Sequence, residues 1–300
     1  METNNYFYAF IVVLLAGLSW SFGAVVVRHM HEANLYVFQY LFYRGFSIAL
    51  ILLIYLFVKE GLSFYKNFFN IGISGVLGGI FLATAFTGFI YSITITTAAV
   101  TLFMLAAMPF IAAIFAYILL GEVLNRSTFI AMIIAFIGVC VMIINDSISG
   151  TIIGAIIGLV SAAGFALYTV TIRWKPETPK FATVVLAGLF CSFFSFLFLD
   201  FSFEPFTTMP IKNSYLSLLH GLFVATGLIL YSLGAKYLPS AELALLSLME
   251  VVGGVLWVWI PIFGINEVPT LTVLIGGAII TLAVIYYGYS SKSKNDPVTQ

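Results

Sequence analysis

PSAELALLSLMEVVGGVLWVWIPIFGINEV, residues 239–268, decides how this chain is read. Between Ser240 and Ile262 the stretch is long and apolar enough for one bilayer crossing. About 20 residues at ~1.5 Å each cover a ~30 Å hydrocarbon core. An acid, Glu250, stands near the middle of that run. A charge at such a depth costs roughly 2.5–3.5 kcal/mol on insertion scales, so an intramembrane acid is read as functional by default. Gly253 and Gly254 come next and allow a second helix to approach closely. Trp257 lies two turns beyond Glu250 on the same face. An acid held there is either structural, protonated or bonded to a helix neighbour, or it takes up a proton or binds a cation, with Trp257 offering an aromatic wall to an ammonium group.

An earlier stretch has the same design. Residues 97–123, TAAVTLFMLAAMPFIAAIFAYILLGEV, also open on a small-polar turn, run through a long apolar segment and end at Gly121-Glu122-Val123. Aligning Met108–Pro109 with Glu250–Val251 sets an offset of 142 (250 minus 108). Glu122 then corresponds to Glu267 after a three-residue insertion.

Working outward, ten apolar runs appear, at residues 8–27, 35–58, 69–91, 98–120, 128–145, 151–174, 181–199, 214–234, 240–262 and 271–289. With 62% apolar and 8% charged residues, the chain is far from a soluble composition, in which about a quarter are charged. The expected fold is an all-α polytopic membrane protein with ten transmembrane helices in two inverted five-helix repeats. The repeats cover residues 1–148 and 149–290, and 291–300 form a disordered cytoplasmic tail. Five crossings is an odd number, so the second repeat enters the membrane upside down, as in many secondary transporters. The first run lacks a basic leader and a clear cleavage site, so it reads as a retained helix.

Loop charge orients the chain. Lys59, Lys66, Arg126, Arg173, Lys175, Lys180, Lys236, Lys292 and Lys294 fall on the side of both termini. Arg28 and Lys212 fall on the other. Cations collect on the cytoplasmic side, so both termini are expected inside the cell. The formal net charge of zero gives no reason to expect a nucleic-acid partner.

The twelfth cation, Arg44, lies within the second run. Arg44 is nine residues into a helix entered from outside and Glu250 ten into one entered from inside. At ~1.5 Å per residue each sits roughly 14–15 Å deep. Two arrangements stay open: the two charges pair, or they hold opposite ends of a zwitterion. Trp20, Tyr91, Tyr168 and Tyr231 are candidates to line a cavity, against packing or an interfacial belt. His220 reads as a packing residue, and Cys140 and Cys191 as thiols within apolar runs. His29, His31 and Glu32 lack the further ligand that a metal site needs. No second intramembrane carboxylate was identified to pair with Glu250 for acid–base work, and HExxH, GxSxG and the ATP-binding GxxxxGK[ST] are absent from the sequence.

These motifs, in this order, resemble the EamA-type branch of the drug/metabolite transporter superfamily. The resemblance rests on Trp20-Ser21-Phe22-Gly23, Arg44, and the run from Ala98-Ala99 through Pro109 to Gly121-Glu122. In the second half it rests on Gly154 through Tyr168, Arg173, Glu250 and Glu267. Two features depart from the family pattern. Val251 stands where a proline usually follows the acid, and TVVLAGLFCSFF has no counterpart of Arg44. The resemblance implies a basket of helices around a cavity open to each side in turn. The expectation is a secondary transporter of the cell membrane for a small metabolite, with amino acids or organic amines favoured. It would work by alternating access, driven by a proton or solute gradient, with no cofactor and no catalytic residues, as a monomer or homodimer in the lipid bilayer. The alternatives are an exporter of drugs or nucleotide-like compounds, an intramembrane enzyme and an ion channel. The expected substrate-binding residues are Glu250, Arg44, Trp20, Tyr91, Tyr168, Tyr231 and Trp257.

Overall fold

The computed structural model describes residues 3–95, 101, 104–142, 152–175, 177–266 and 268–295, and among these it contains helices and no strands. The principal helices are α1 (Thr3–Arg28), α2 (Val37–Glu60), α3 (Gly72–Ile95), α4 (Met108–Leu120), α5 (Arg126–Met142), α6 (Ile152–Trp174), α7 (Lys180–Phe198), α8 (Ile211–Gly234), α9 (Ser240–Ser247), α10 (Met249–Trp259) and α11 (Leu271–Asn295). Taking α9 and α10 as one segment, eight are long and apolar enough to cross a membrane, and α4 and α5 are shorter apolar helices. Long apolar runs without water to bond their backbones must satisfy every N–H and C=O internally, and a helix does so within the segment.

The two chain ends meet at one end of the bundle, where Tyr6 of α1 donates a hydrogen bond to Tyr287 of α11. At this termini end the Ser74 and Thr178 hydroxyls are also bonded (2.5 Å), and the Ser240 N–H bonds Glu122 (2.9 Å). At the opposite end Asn213 exchanges two hydrogen bonds with the His31 backbone (2.9 and 2.7 Å). There too the Ser92 hydroxyl donates to the Gly154 carbonyl (2.8 Å), and Phe38 stacks on Phe198 (4.9 Å). These ties fit successive helices running in alternate directions.

The packing has an internal symmetry. Exchange each of the first five segments with the one five places on. The pair α3–α6 becomes α8–α1, α2–α8 becomes α7–α3, and α1 against α9–α10 becomes α6 against α4. The pairs α2–α7, α5–α11 and α4–α9 map onto themselves. At the α2–α7 crossing, equivalent glycines face each other. A Cβ on Gly45 would stand 2.6 Å from the Gly188 carbonyl oxygen, and one on Gly188 2.6 Å from that of Gly45.

The stretch that decides the reading is not one continuous helix. It breaks at Leu248, where α9 ends in a tight i→i−3 turn: the Leu248 N–H bonds Leu245 O (3.2 Å) and the Val251 N–H bonds Leu248 O (3.1 Å). The first-half counterpart breaks at Ala106–Ala107, where the Ala107 N–H bonds Met104 O (3.1 Å). Ala106 plus the offset of 142 is Leu248, so the two interruptions fall at matching positions. Pro109 lacks an N–H and suits the start of the resumed helix α4. The second break occurs with Val251 in that place. Another difference concerns α11, which continues to Asn295 rather than stopping at 289, so the first part of the expected tail is helical. Ala98, Ala99, Asn145 and Glu267 lie outside the described residues.

Candidate functional site

The break at Leu248 puts Glu250 in the first turn of α10. There α10 rides on α1. A Cβ on Gly17 would meet the Glu250 backbone nitrogen at 3.3 Å, and one on Gly253 would meet the Ser21 hydroxyl at 2.6 Å. Gly253 is therefore required for this approach, whereas Gly254 is in ordinary contact with Ala24 (3.7 Å). The Glu250 side chain is half-buried and forms no hydrogen bond or ion pair among the described residues.

Arg44 lies across the interior on α2, only 3% exposed. Its guanidinium sits 5.0 Å from the centre of the Phe86 ring and 5.6 Å from that of Tyr40, a cation–π setting that partly replaces lost hydration. Its Nε has no hydrogen-bond partner. The Arg44 charge acts on Tyr40, Cys191, His220 and Glu250. Even so, no Arg44 nitrogen comes within 4.0 Å of a Glu250 oxygen. The two interior charges sense each other without pairing.

Beside Arg44, Tyr40 and His220 are hydrogen-bonded and stacked with ring centres 5.7 Å apart, so His220 is a satisfied interior residue. The aromatic candidates divide. Trp20, Tyr168 and Tyr231 gather around Phe165 in one buried cluster, with Trp20–Phe165 centres at 5.6 Å and Trp20–Tyr231 centres at 5.4 Å. Their polar tips are already engaged: Trp20 Nε1 donates to Val224 O (3.2 Å), and Tyr231 bonds Thr169 (2.7 Å). The Tyr168 hydroxyl faces Ser232 at 3.4 Å. Trp257 donates to the Ser21 hydroxyl (2.7 Å) and stacks on Phe22 at 4.7 Å. Tyr91 is remote from the cluster, at the opposite end of the bundle, 38% exposed and stacked on Phe38.

Two groups escaped the sequence reading. One is a second acid in the same span: Glu242, 7% exposed, accepts hydrogen bonds from Thr128 (3.1 Å) and from Tyr287. Glu242 is a second buried carboxylate in the same apolar run, placed in the first turn of α9. It stands eight residues before Glu250. The other is a tie at the termini end. Arg173 bonds Glu122 through Nε and Nη2 (2.7 Å each) and reaches the Ala235 carbonyl (2.7 Å), while Glu122 accepts the N–H of Ser240 at the start of α9. A carboxylate there complements the exposed N–H groups and the dipole of a helix start.

Comparison with known proteins agrees with this architecture. No curated protein sequence matches the chain. A crystal structure of another protein superposes with a TM-score of 0.74 over 95% of this chain and 98% of that one, at 16% identity, which establishes a shared fold. The profile of the EamA-like transporter family matches residues 7–144, the part that carries Trp20, Arg44 and the first interrupted helix. Over residues 7–144, somewhat less than half of its length, this chain is similar to the EamA-like transporter family, part of the drug/metabolite transporter superfamily.

Proposed function

We propose that the protein is a ten-pass secondary transporter of the cell membrane that carries a small zwitterionic solute of the amino-acid class by alternating access. The observation that carries this reading is the state of the two interior charges. Arg44 is buried with an unpartnered Nε, and Glu250 has no partner among the described residues, although the field of Arg44 reaches it. Burying two opposite charges without pairing them is costly, and a bound molecule offering a carboxylate to one and an ammonium to the other offsets that cost. A simple amine satisfies only Glu250 and leaves the guanidinium unmatched.

The moving parts in this proposal are the two halves, residues 1–148 and 149–290, inverted relative to each other. The exchange symmetry of the packing, the facing pair Gly45 and Gly188, and the matched helix interruptions support it. Interrupted helices beside a midplane site recur in inverted-repeat transporters. The excess of cations at the termini end supports cytoplasmic termini. Glu250 is the residue at which substrate and proton compete.

The test is a thermal-shift screen of the purified protein with matched triplets: an amino acid, its decarboxylated amine and its deaminated acid. The expected result is stabilisation by amino acids that exceeds that given by either single-charge analogue. Equal stabilisation by the amine and the amino acid would remove Arg44 from the site.

A further inference from the structure

Glu242 is buried, ionisable and outside the Arg44–Glu250 site. It lines a small cleft at the termini end, with room for about 20 Å³, together with Glu122, Asn125 and Thr128. Both its carboxylate oxygens are engaged: Oε1 accepts from the Thr128 hydroxyl (3.1 Å) and Oε2 from Tyr287, whose own oxygen accepts from Tyr6. No cation pairs with it among the described residues. The groups facing it are Tyr287 on α11, Thr128 on α5, and the already paired Arg173 on α6 and Glu122 after α4, with Tyr6 on α1 one bond further away. Thr128 and Tyr6 belong to the first half of the chain, Glu242 and Tyr287 to the second, so this hydroxyl–carboxylate chain ties the halves together at one end.

We infer that Glu242 is a proton-binding site, fed through Tyr6 and Tyr287, whose protonation releases the two halves from each other at the termini end. This rests on the transporter reading above and adds a coupling site to it. Each hydroxyl donates one proton and accepts another. A proton arriving on the Tyr6 oxygen sends the Tyr6 proton to Tyr287 and the Tyr287 proton to Oε2 of Glu242. One O–H bond forms on the carboxyl and one proton leaves the aqueous phase. Both tyrosines end neutral, with their hydroxyls reversed. The charge-assisted bond from Thr128 then becomes a neutral one, and the charge-assisted bond from Tyr287 is replaced by a neutral bond that the Glu242 carboxyl donates to Tyr287, each roughly half as strong. Glu122, tied to Arg173 and Ser240, borders the same cleft, so loosening around Glu242 reaches the start of α9 directly.

Two readouts on the full chain in liposomes test this without any substrate, so they stand or fall independently of the transport assay. The first is pH-difference infrared spectroscopy. In a Glu250→Gln background a carboxyl C=O band should appear on acidification, vanish when Glu242→Gln is added and shift when Tyr287→Phe is added, which removes one hydrogen bond. The second is maleimide labelling of Asn125→Cys in a background with Cys140 and Cys191 replaced by alanine. Labelling should speed up about tenfold on acidification, as one bond across the halves weakens. In Glu242→Gln, the neutral mimic, it should be fast at every pH. If Glu242→Gln does not fold, the Tyr287→Phe shift of the Glu250→Gln parent's band carries the test. An acid-induced band that survives Glu242→Gln in the Glu250→Gln background, a Tyr287→Phe band identical to that of its Glu250→Gln parent, or labelling that follows sodium at constant pH would each overturn the inference.

Discussion

At the residue scale, the proposed site gives Arg44 and Glu250 different tasks toward a ligand. Arg44 presents a planar donor fork between two aromatic rings and suits a carboxylate. Glu250 presents an acceptor in the first turn after a helix break. Arg44→Gln should weaken binding of an amino acid by about 10- to 150-fold, the worth of one hydrogen bond to a charged group, and leave binding of the parent amine unchanged. Glu250→Gln should weaken both and flatten their pH dependence. Isothermal titration of the two variants with one amino acid and its amine checks this, and equal losses for both ligands in Arg44→Gln would contradict it. The place of Arg44 and Glu250 as charges inside apolar runs was legible because such a charge is visible in one dimension. Glu242 was not, because an acid just after Pro239 and Ser240 looks like an ordinary helix-start residue favoured by the dipole. Only the packing of α5 and α11 around it reveals the burial. Tyr168 and Tyr231 were legible as candidates, but their engagement with Ser232 and Thr169 was not.

At the element scale, hydropathy marked where helices run, since backbone satisfaction in lipid leaves few other solutions. It did not mark where they break. Pro109 explains the first interruption. The second lies in SLMEVV, which carries no proline or glycine, so tertiary contacts with α1 decide it. Helix crossings offer a sharper check. Gly188→Ala places a methyl 2.6 Å from the backbone oxygen of Gly45, and neither backbone yields cheaply. The expected cost is about 1–3 kcal/mol, seen as a lower melting temperature and a smaller monodisperse fraction on size-exclusion chromatography. Gly277→Ala has open space around the new methyl and serves as the neutral control. A Gly188→Ala protein as stable as Gly277→Ala would contradict the α2–α7 crossing described here.

At the scale of the whole molecule, the proposed inversion of the two halves requires that loops alternate strictly between the two faces. In a background lacking Cys140 and Cys191, Lys66→Cys and Lys180→Cys should resist an impermeant thiol reagent added outside, and Lys212→Cys should react. Labelling of Lys180→Cys from outside would contradict the proposed ten-pass arrangement. The central claim is that a zwitterionic solute crosses between the halves by way of Arg44 and Glu250. The direct measurement is counterflow in liposomes reconstituted with the full chain. Vesicles loaded with an unlabelled amino acid that stabilises the protein are diluted into its labelled form. The account predicts saturable, transient accumulation of label in wild-type vesicles and its loss in both Arg44→Gln and Glu250→Gln, with each variant still folded. Counterflow of undiminished rate in Glu250→Gln would contradict it.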